Sequence, residues 1–297
     1  MNSSTPAIEI ENLSFAYGRA EAVHDLSLTV QPGRCYGLFG RNGAGKTTTM
    51  KCLLNLLRPQ RGQVRVFGLD PAKHEVNVKR LLSYVPDQIA FYPWMSVRET
   101  LDYLASCRAH WDRKTEQELF ERFQLDPAPT HRKSLKGPAN PGSVDRRGLP
   151  GDGLVGARRT DIGPRPHRAP RVHRGGDRRV PAGRSGQRTI LVSTHLITEF
   201  EGLIDEFTII DRGHPVLTLD ADQARERYQR IRARFAQSPP EFDVTAALRV
   251  RRDGRELELI ANGSSAELME RVRQHHPETL STESLTLEEI FVVTLKQ

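Results

Sequence analysis

The chain has 297 residues and a formal net charge of +7, a length that suits one large domain or a large domain followed by a small one. No apolar run approaches the roughly 18–20 residues of a membrane-spanning helix, and the first residues lack a basic region followed by an apolar core, so we expect no secretion signal. The three cysteines, Cys35, Cys52 and Cys107, lack metal-ligand spacing, and so sparse a set is typical of a reducing cytosol.

The first part of the chain alternates strand patterns with helix patterns. Five segments have the alternating or continuous apolar residues of strands: 7–16, 23–30, 34–40, 63–68 and 81–88. From Lys46 the apolar residues recur at helical spacing until Pro59, which cannot continue a helix. Residues 96–126 also have the pattern of helices. This alternation is typical of an α/β domain.

Residues 137–186 have a composition unlike that of a folded domain. They contain 11 Gly and 7 Pro, together 18 of 50 residues, above the share of roughly 25–30 % that marks low-complexity sequence. They also hold 11 Arg and 4 Asp with no Lys or Glu, whereas the rest of the chain has 33 basic and 33 acidic residues. We therefore predict that residues 137–186 are disordered. The excess charge of +7 belongs to this segment and does not indicate a nucleic-acid-binding surface.

Strand and helix patterns return after this segment. The predicted elements are strands over 189–196 and 206–213, a helix over 219–235, a hairpin over 246–261 and helices over 265–276 and 285–295. The hairpin turns at Asp253-Gly254, a pair that suits a tight turn. Residues 6–215 are thus predicted to form an α/β body, and residues 216–297 a small α+β appendage.

The motif that carries chemistry is GRNGAGKTT, at residues 40–48. It follows a predicted strand and begins a predicted helix, which is the setting that a P-loop requires. Its glycines let backbone N–H groups converge on one cavity, where the helix dipole also favours an anion. Lys46 has the length to reach the β- and γ-phosphates, and the Thr47 hydroxyl can bind Mg²⁺. The predicted nucleotide-binding residues of the loop are Gly40, Arg41, Asn42, Gly43, Ala44, Gly45, Lys46, Thr47 and Thr48.

Three further residues, Tyr17, Gln88 and His195, have a distinctive order around this loop. Together with the P-loop they make the chain resemble the ATP-binding subunits of ABC transporters. Tyr17 lies 23 residues before Gly40, where the family has an aromatic that stacks on adenine. Gln88 matches the family's glutamine that senses the metal and the γ-phosphate and touches the membrane subunit, and His195 matches the histidine that contacts the γ-phosphate. Taken singly, they also fit a strand-end aromatic, a turn residue and a capped strand-end histidine.

The resemblance implies a P-loop NTPase core of the ABC ATPase type, with an antiparallel β subdomain, a helical subdomain and a small C-terminal α+β appendage like that of exporters of the ABC-2 type. It implies that ATP and Mg²⁺ bind between two ATP-binding subunits, as a homodimer or heterodimer. Thr47 and Gln88 would lie near the metal, and Gln88 and His195 would be the catalytic residues.

The resemblance also implies a separate transmembrane permease, a cytoplasmic location on the inner face of the cell membrane and no nucleic-acid partner. Three alternatives stay open. One is a soluble ABC-type ATPase that acts on DNA or ribosomes, although such proteins usually carry a coiled-coil insertion or two tandem cores. The second is a catalytically dead remnant. The third is a nucleic-acid-binding protein that uses the Arg-rich segment, which has no interleaved aromatics.

Two motifs of the family are missing between Gln88 and His195. One is the signature that binds the nucleotide of the opposite subunit. The other is an apolar strand ending in Asp-Glu, in which the Asp supports Mg²⁺ and the Glu polarises the attacking water. The genetic code offers an explanation, because a codon read from its second base permits only a few residues. In this reading codons 157–166 permit Leu-Asp-Glu-Pro-Thr-Ser-Gly-Leu-Asp-Pro, and the codons from Lys133 to Ser143 permit a signature variant, Ser-Leu-Ser-Lys-Gly-Gln.

We therefore interpret residues 133–186 as a frameshifted segment that opens near residues 128–133 and closes just before Gln187. As written, the chain lacks the Asp, the Glu and the core strand that carries them. Loss of a core strand should cost more than the few kcal/mol by which domains are stable. We expect a chain that folds poorly, or one that binds ATP weakly and does not hydrolyse it.

Overall fold

The computed structural model describes residues 5–86, 92, 94–108, 111–124, 188–194 and 196–296, and the backbone of residues 153–158. Within these residues the strands are, in chain order, β1 (Ile8–Tyr17), β2 (Ala20–Val30), β3 (Cys35–Gly40), β4 (Arg61–Val66), β5 (Leu82–Pro86), β6 (Gly153–Arg158), β7 (Arg188–Thr194), β8 (Glu206–Asp211), β9 (His214–Asp220), β10 (Tyr228–Arg234), β11 (Ala247–Asp253), β12 (Glu256–Asn262) and β13 (Thr279–Ser284). The helices are α1 (Lys46–Leu53), α2 (Glu75–Leu81), α3 (Val97–Ser106), α4 (Arg113–Arg122), α5 (Ile197–Phe200), α6 (Ala221–Arg227), α7 (Ser265–Gln274) and α8 (Leu287–Thr294). None of the helices in this part of the chain is long and apolar enough to span a membrane.

The central layer is a six-stranded sheet in the order β5-β6-β7-β3-β8-β9. Strand β3 is parallel to both of its neighbours, β7 and β8, whereas β5, β6 and β9 join by antiparallel pairing. Successive side chains of β3 point to opposite faces, so Leu38 and Phe39 enter different apolar clusters. The P-loop strand is therefore buried on both faces.

One of these clusters joins the central sheet to a three-stranded antiparallel sheet, β2-β1-β4. Every second residue at the start of β1, Ile8 and Ile10, is buried there, and α1 contributes Met50 and Leu53. This alternation is the period-two pattern that the sequence shows over residues 7–16. The predicted antiparallel β subdomain is present.

The helices α3 and α4 are held together by one buried carboxylate. Glu116 on α4 accepts hydrogen bonds from Arg98 on α3, from the Trp111 indole and from Arg113 at 3.0 Å. Arg98 also lies over the Phe120 ring, 4.6 Å from its centroid. Charge-assisted bonds of this kind are stronger than neutral ones, so Glu116 fixes the pairing of the two helices.

The C-terminal part has a four-stranded antiparallel sheet in the order β11-β12-β10-β13. The predicted hairpin is confirmed, with β11 ending at Asp253 and β12 beginning at Glu256. The predicted helix over 219–235 is wrong in its second half, because α6 ends at Arg227 and β10 begins at Tyr228. From Ile231 onward β10 alternates buried residues with arginines, and Arg232 pairs across the sheet with Glu258 and Glu283. These cross-strand ion pairs favour the strand.

The structure corrects the prediction for residues 137–186 in one place. Residues 153–158 form strand β6, which pairs with β5 on one side and with β7 on the other. The rest of that segment lies outside the described residues. The central sheet also extends beyond residue 215, because β9 pairs with β8 as far as Asp220.

Candidate functional site

The P-loop lies where β3 ends in the middle of the central sheet. Residues 41–45 form the turn, and α1 begins at Lys46. Gly43 and Gly45 have positive φ values of 82° and 103°, which L side chains rarely adopt. Gly45 also packs closely against β2, since a Cβ there would lie 2.3 Å from the Ala22 carbonyl oxygen. The glycines at these positions therefore permit a turn that other residues would strain.

Lys46 folds inward over this turn and is only 3 % exposed. Its Nζ donates hydrogen bonds to the Gly40 carbonyl at 2.8 Å and to the Arg41 carbonyl at 3.3 Å. The residue before α1 is Gly45, which has no side chain to cap the helix, and the first turn of the helix has no acidic residue. The positive end of the helix dipole and a buried lysine thus meet at one place, and this combination fits a phosphate group.

Backbone hydrogen bonds from distant parts of the chain hold the loop in this shape. The Gly213 N–H, in the turn between β8 and β9, donates to the Ala44 carbonyl at 3.1 Å. The His24 N–H on β2 donates in turn to the Gly213 carbonyl at 2.8 Å. Thr49 donates its N–H and its hydroxyl to the Gly45 carbonyl at 2.9 and 3.0 Å. Sequence reasoning missed these supports, and Gly213 in the turn Asp-Arg-Gly-His was the available signal.

The other loop residues differ in exposure. Arg41 and Asn42 are exposed, Thr47 is half-buried and Thr48 is buried. The exposed side chains of the loop therefore lie at its tip, and the two threonines lie at the helix start.

Tyr17 is the last residue of β1, at the hairpin between β1 and β2. It is 49 % exposed and packs edge-on against Phe15, with 4.9 Å between ring centroids. Tyr17 pairs with Ala20 across the hairpin, and two residues further along β2 the Ala22 carbonyl approaches Gly45. The structure thus brings an exposed aromatic ring and the P-loop to the same end of β2.

The other two predicted site residues, Gln88 and His195, lie outside the described residues. The strands that precede them are described. Strand β7 is parallel to β3, and its last residue, Thr194, is in register with Phe39, one residue before Gly40. Strand β5 ends at Pro86.

Two side chains at the start of β3, Cys35 and Tyr36, have raised pKa values. Burial raises the pKa of the Cys35 thiol to about 12, and the nearby Asp205 carboxylate adds to this effect. Burial also raises the pKa of Tyr36 to about 12, and its hydroxyl bonds to Thr208 at 2.7 Å. Both side chains are therefore neutral and structural at physiological pH.

The strand, the glycine turn, the inward lysine and the helix start together have the arrangement of a P-loop. A family model described as "ABC transporter" matches residues 23–137. Over this part of its length the chain is similar to ABC transporter ATP-binding proteins, which agrees with the resemblance in its sequence. Its mixed α/β fold agrees with a solved structure described as the ATP-binding subunit of an ABC transporter, with a TM-score of 0.52 and 18 % identity, which covers 74 % of this chain and 92 % of that one.

Three proteins of similar sequence are described as ATP-binding proteins of transport, export or drug resistance. The bacitracin transport ATP-binding protein BcrA of Bacillus licheniformis is 28 % identical over an alignment of 239 residues, and the match covers 74 % of this chain and 72 % of BcrA. The daunorubicin/doxorubicin resistance ATP-binding protein DrrA of Streptomyces peucetius is 36 % identical over 127 residues, 42 % of this chain and 38 % of DrrA. The Nod factor export ATP-binding protein I of Ralstonia nicotianae is 28 % identical, covering 72 % of this chain and 67 % of the relative.

Proposed function

We propose that this chain is the ATP-binding subunit of a membrane exporter and that Mg-ATP binds at the P-loop. The observation that carries the proposal is the buried Lys46, whose Nζ lies against the Gly40 and Arg41 carbonyls at the start of α1. The loop N–H groups and Lys46 would hold the phosphates, and Tyr17 would stack on adenine. Thr47 and Gln88 would hold Mg²⁺, which would neutralise phosphate charge, and His195 would contact the γ-phosphate.

The exporter assignment is supported by the descriptions of the relatives, which name bacitracin transport, Nod factor export and drug resistance. We infer that the chain works as a dimer of ATP-binding subunits with a separate transmembrane permease, on the cytoplasmic face of the membrane. Among the described residues, the aromatic side chains of Tyr92, Trp94 and Tyr103 form an exposed group. Tyr92 lies 4.9 Å from Trp94 and 6.3 Å from Tyr103 between ring centroids. This group follows Gln88 in sequence, and we propose it as a contact for the permease, since exposed apolar patches mark interaction sites.

We propose further that residues 133–186 are translated out of frame and that the chain as written does not hydrolyse ATP. The family match ends at residue 137, where the Arg-, Gly- and Pro-rich composition begins. The shifted reading extends upstream as well, because codons 154–157 permit Leu-Leu-Val-Leu just before the Asp-Glu pair. These codons lie within β6, Gly153–Arg158. The same bases thus permit the apolar strand that the resemblance requires.

The experiment for ATP binding compares two lysines of α1. Lys46→Ala should weaken binding of a fluorescent ATP analogue by about tenfold or more, because a charge-assisted hydrogen bond contributes about 1.5–3 kcal/mol. Lys51→Ala, in the last turn of the same helix, should bind like the wild type. Equal affinity of the two variants would refute nucleotide binding at the P-loop.

Two further measurements separate the alternatives. Resequencing codons 125–190 and measuring ATP turnover of the chain as written test the frameshift and the loss of hydrolysis. Steady turnover by this polypeptide would refute the loss. Purification with a membrane protein supports the exporter subunit, whereas purification with ribosomes or DNA would support the soluble ATPase.

A further inference from the structure

The last helix, α8, packs against α5. Leu287 and Ile290 of α8 are fully buried in the apolar cluster that also contains Ile197 of α5 and Phe39 of β3. Phe39 is the residue before Gly40, and α5 begins two residues after His195. One cluster therefore contains the C-terminal helix, the P-loop strand and the helix that follows the predicted γ-phosphate contact.

A single carboxylate adds a polar link across this packing. Oε1 of Glu201, the residue after α5, accepts a hydrogen bond from the Leu287 N–H at 2.9 Å. Leu287 is the first residue of α8, where backbone N–H groups have no partner within the helix. The Glu201 carbonyl also accepts a hydrogen bond from Arg225 of α6 at 3.1 Å. Glu201 is thus tied to two elements of the C-terminal part.

The other side of α8 is tied to the C-terminal sheet. Arg230 of β10 donates to Glu289 of α8 at 2.7 Å and to Glu283 of β13 at 2.9 Å. Glu289 is also part of the capping box with Thr286 at the start of α8. The start of α8 is therefore held by Arg230 on the side of the sheet and by Glu201 on the side of the body.

We propose that Glu201 is a positioning residue through which the C-terminal part, residues 221–296, sets the position of α5 and, through the apolar cluster that α5 shares with Phe39, the affinity of the P-loop for nucleotide. This inference rests on the proposed function, because it requires that nucleotide binds at the P-loop. Coupling between two sites is reciprocal, so nucleotide must also stabilise the start of α8.

The test uses the full chain with two substitutions at Glu201 and one control. Glu201→Ala removes the acceptor, whereas Glu201→Gln keeps an oxygen that can accept the Leu287 N–H. Glu199→Ala changes an exposed glutamate on α5 itself. Affinity is measured with a fluorescent ATP analogue, and amide hydrogen exchange is followed in residues 196–204 and 286–294 with and without ATP.

We expect Glu201→Ala to weaken ATP binding about fivefold, the lower end of typical coupling between sites. We also expect ATP to slow exchange at 286–294 in the wild type and to lose this effect in Glu201→Ala. Glu201→Gln and Glu199→Ala should behave like the wild type. If Glu201→Ala speeds exchange in α8 but binds ATP as tightly as the wild type, Glu201 is only structural and the inference is overturned. A wild type that binds no ATP would instead overturn the proposed function together with the coupling.

Discussion

Gly45 is the P-loop glycine at which an added Cβ would come closest to another part of the chain. Its φ of 103° disfavours any L residue, and its Cα faces the Ala22 carbonyl of β2. Gly43 provides a matched comparison, because it has a φ of 82° in the same turn but nothing within 4 Å of a Cβ. Gly43→Ala and Gly45→Ala therefore share the backbone strain and differ in the close approach.

The expected loss in the free energy of unfolding follows from the backbone strain and from the close approach to Ala22. A left-handed backbone costs an alanine about 1–2 kcal/mol in both variants. The approach of 2.3 Å to the Ala22 oxygen adds a packing strain of about 1–3 kcal/mol in Gly45→Ala alone. We thus expect Gly45→Ala to lower the free energy of unfolding by about 2–5 kcal/mol and Gly43→Ala by about 1–2 kcal/mol.

Urea unfolding of the two variants measures the difference directly, and thermal unfolding should separate their Tm values at about 2–4 °C per kcal/mol. Gly254→Ala, in the β11–β12 hairpin with a φ of 57° and open space around it, controls for backbone strain away from the site. Equal losses in Gly43→Ala and Gly45→Ala would refute the idea that β2 restricts the loop.

Two other predictions concern the buried polar and thiol groups. Glu116→Ala should lower the free energy of unfolding by about 1–3 kcal/mol and change the Trp111 fluorescence, because the carboxylate that joins α3 to α4 is lost. Glu118 is exposed on the same helix, so Glu118→Ala should change neither quantity. Similar effects of the two substitutions would contradict the role of Glu116. A maleimide at pH 8 should modify the exposed Cys107 first, since burial raises the pKa of Cys35 to about 12 and that of Cys52 to about 11. Cys107→Ser should remove the fast reaction, and a fast phase that persists would show that one of the other thiols is reactive.

The local chemistry of the sequence is sufficient to predict the P-loop. A strand, a run of glycines, Lys46 and a helical pattern are neighbours in the chain, so their arrangement follows from short-range preferences. The supports from Ala22 and Gly213 were not predicted, because both contact the loop from distant parts of the sequence. The hairpin at Asp253-Gly254 was predicted for the same reason as the P-loop, since its turn residues adjoin its strands.

The strand β10 shows where sequence periodicity fails. Its arginines resemble the polar face of a helix that continues α6, and the helix prediction over 219–235 followed that pattern. The tertiary structure overrides it, because the carboxylates that pair with Arg230 and Arg232 in the described part of the chain lie on the neighbouring strands and on α8. Such pairing cannot be read from one segment alone.

The direction of β6 decides how hydrolysis could be restored. Strand β6 is antiparallel to β7, so Arg158 pairs with Arg188 while Gly153 pairs with Ser193. Thr194, at the other end of β7, is in register with Phe39 beside the P-loop. Arg188 and Thr194 are the first and last of the seven residues of β7, and the six steps between them span about 20 Å at 3.3 Å per residue. A carboxylate placed at position 158 of this chain would therefore lie far from Lys46.

Two altered versions of the gene test the direction of β6 and the frameshift. The double substitution Arg158→Asp, Arg159→Glu should give no ATP turnover above that of Lys46→Ala, because the carboxylate at position 158 stays at the end of β6 that is distant from Lys46. Removing one base near codon 130 and adding one just before codon 187 re-reads the whole segment. That chain should hydrolyse ATP, since the apolar strand and its Asp-Glu pair are then encoded together. Turnover by the double substitution would contradict the direction of β6, and a re-read chain that folds but does not hydrolyse ATP would contradict the frameshift.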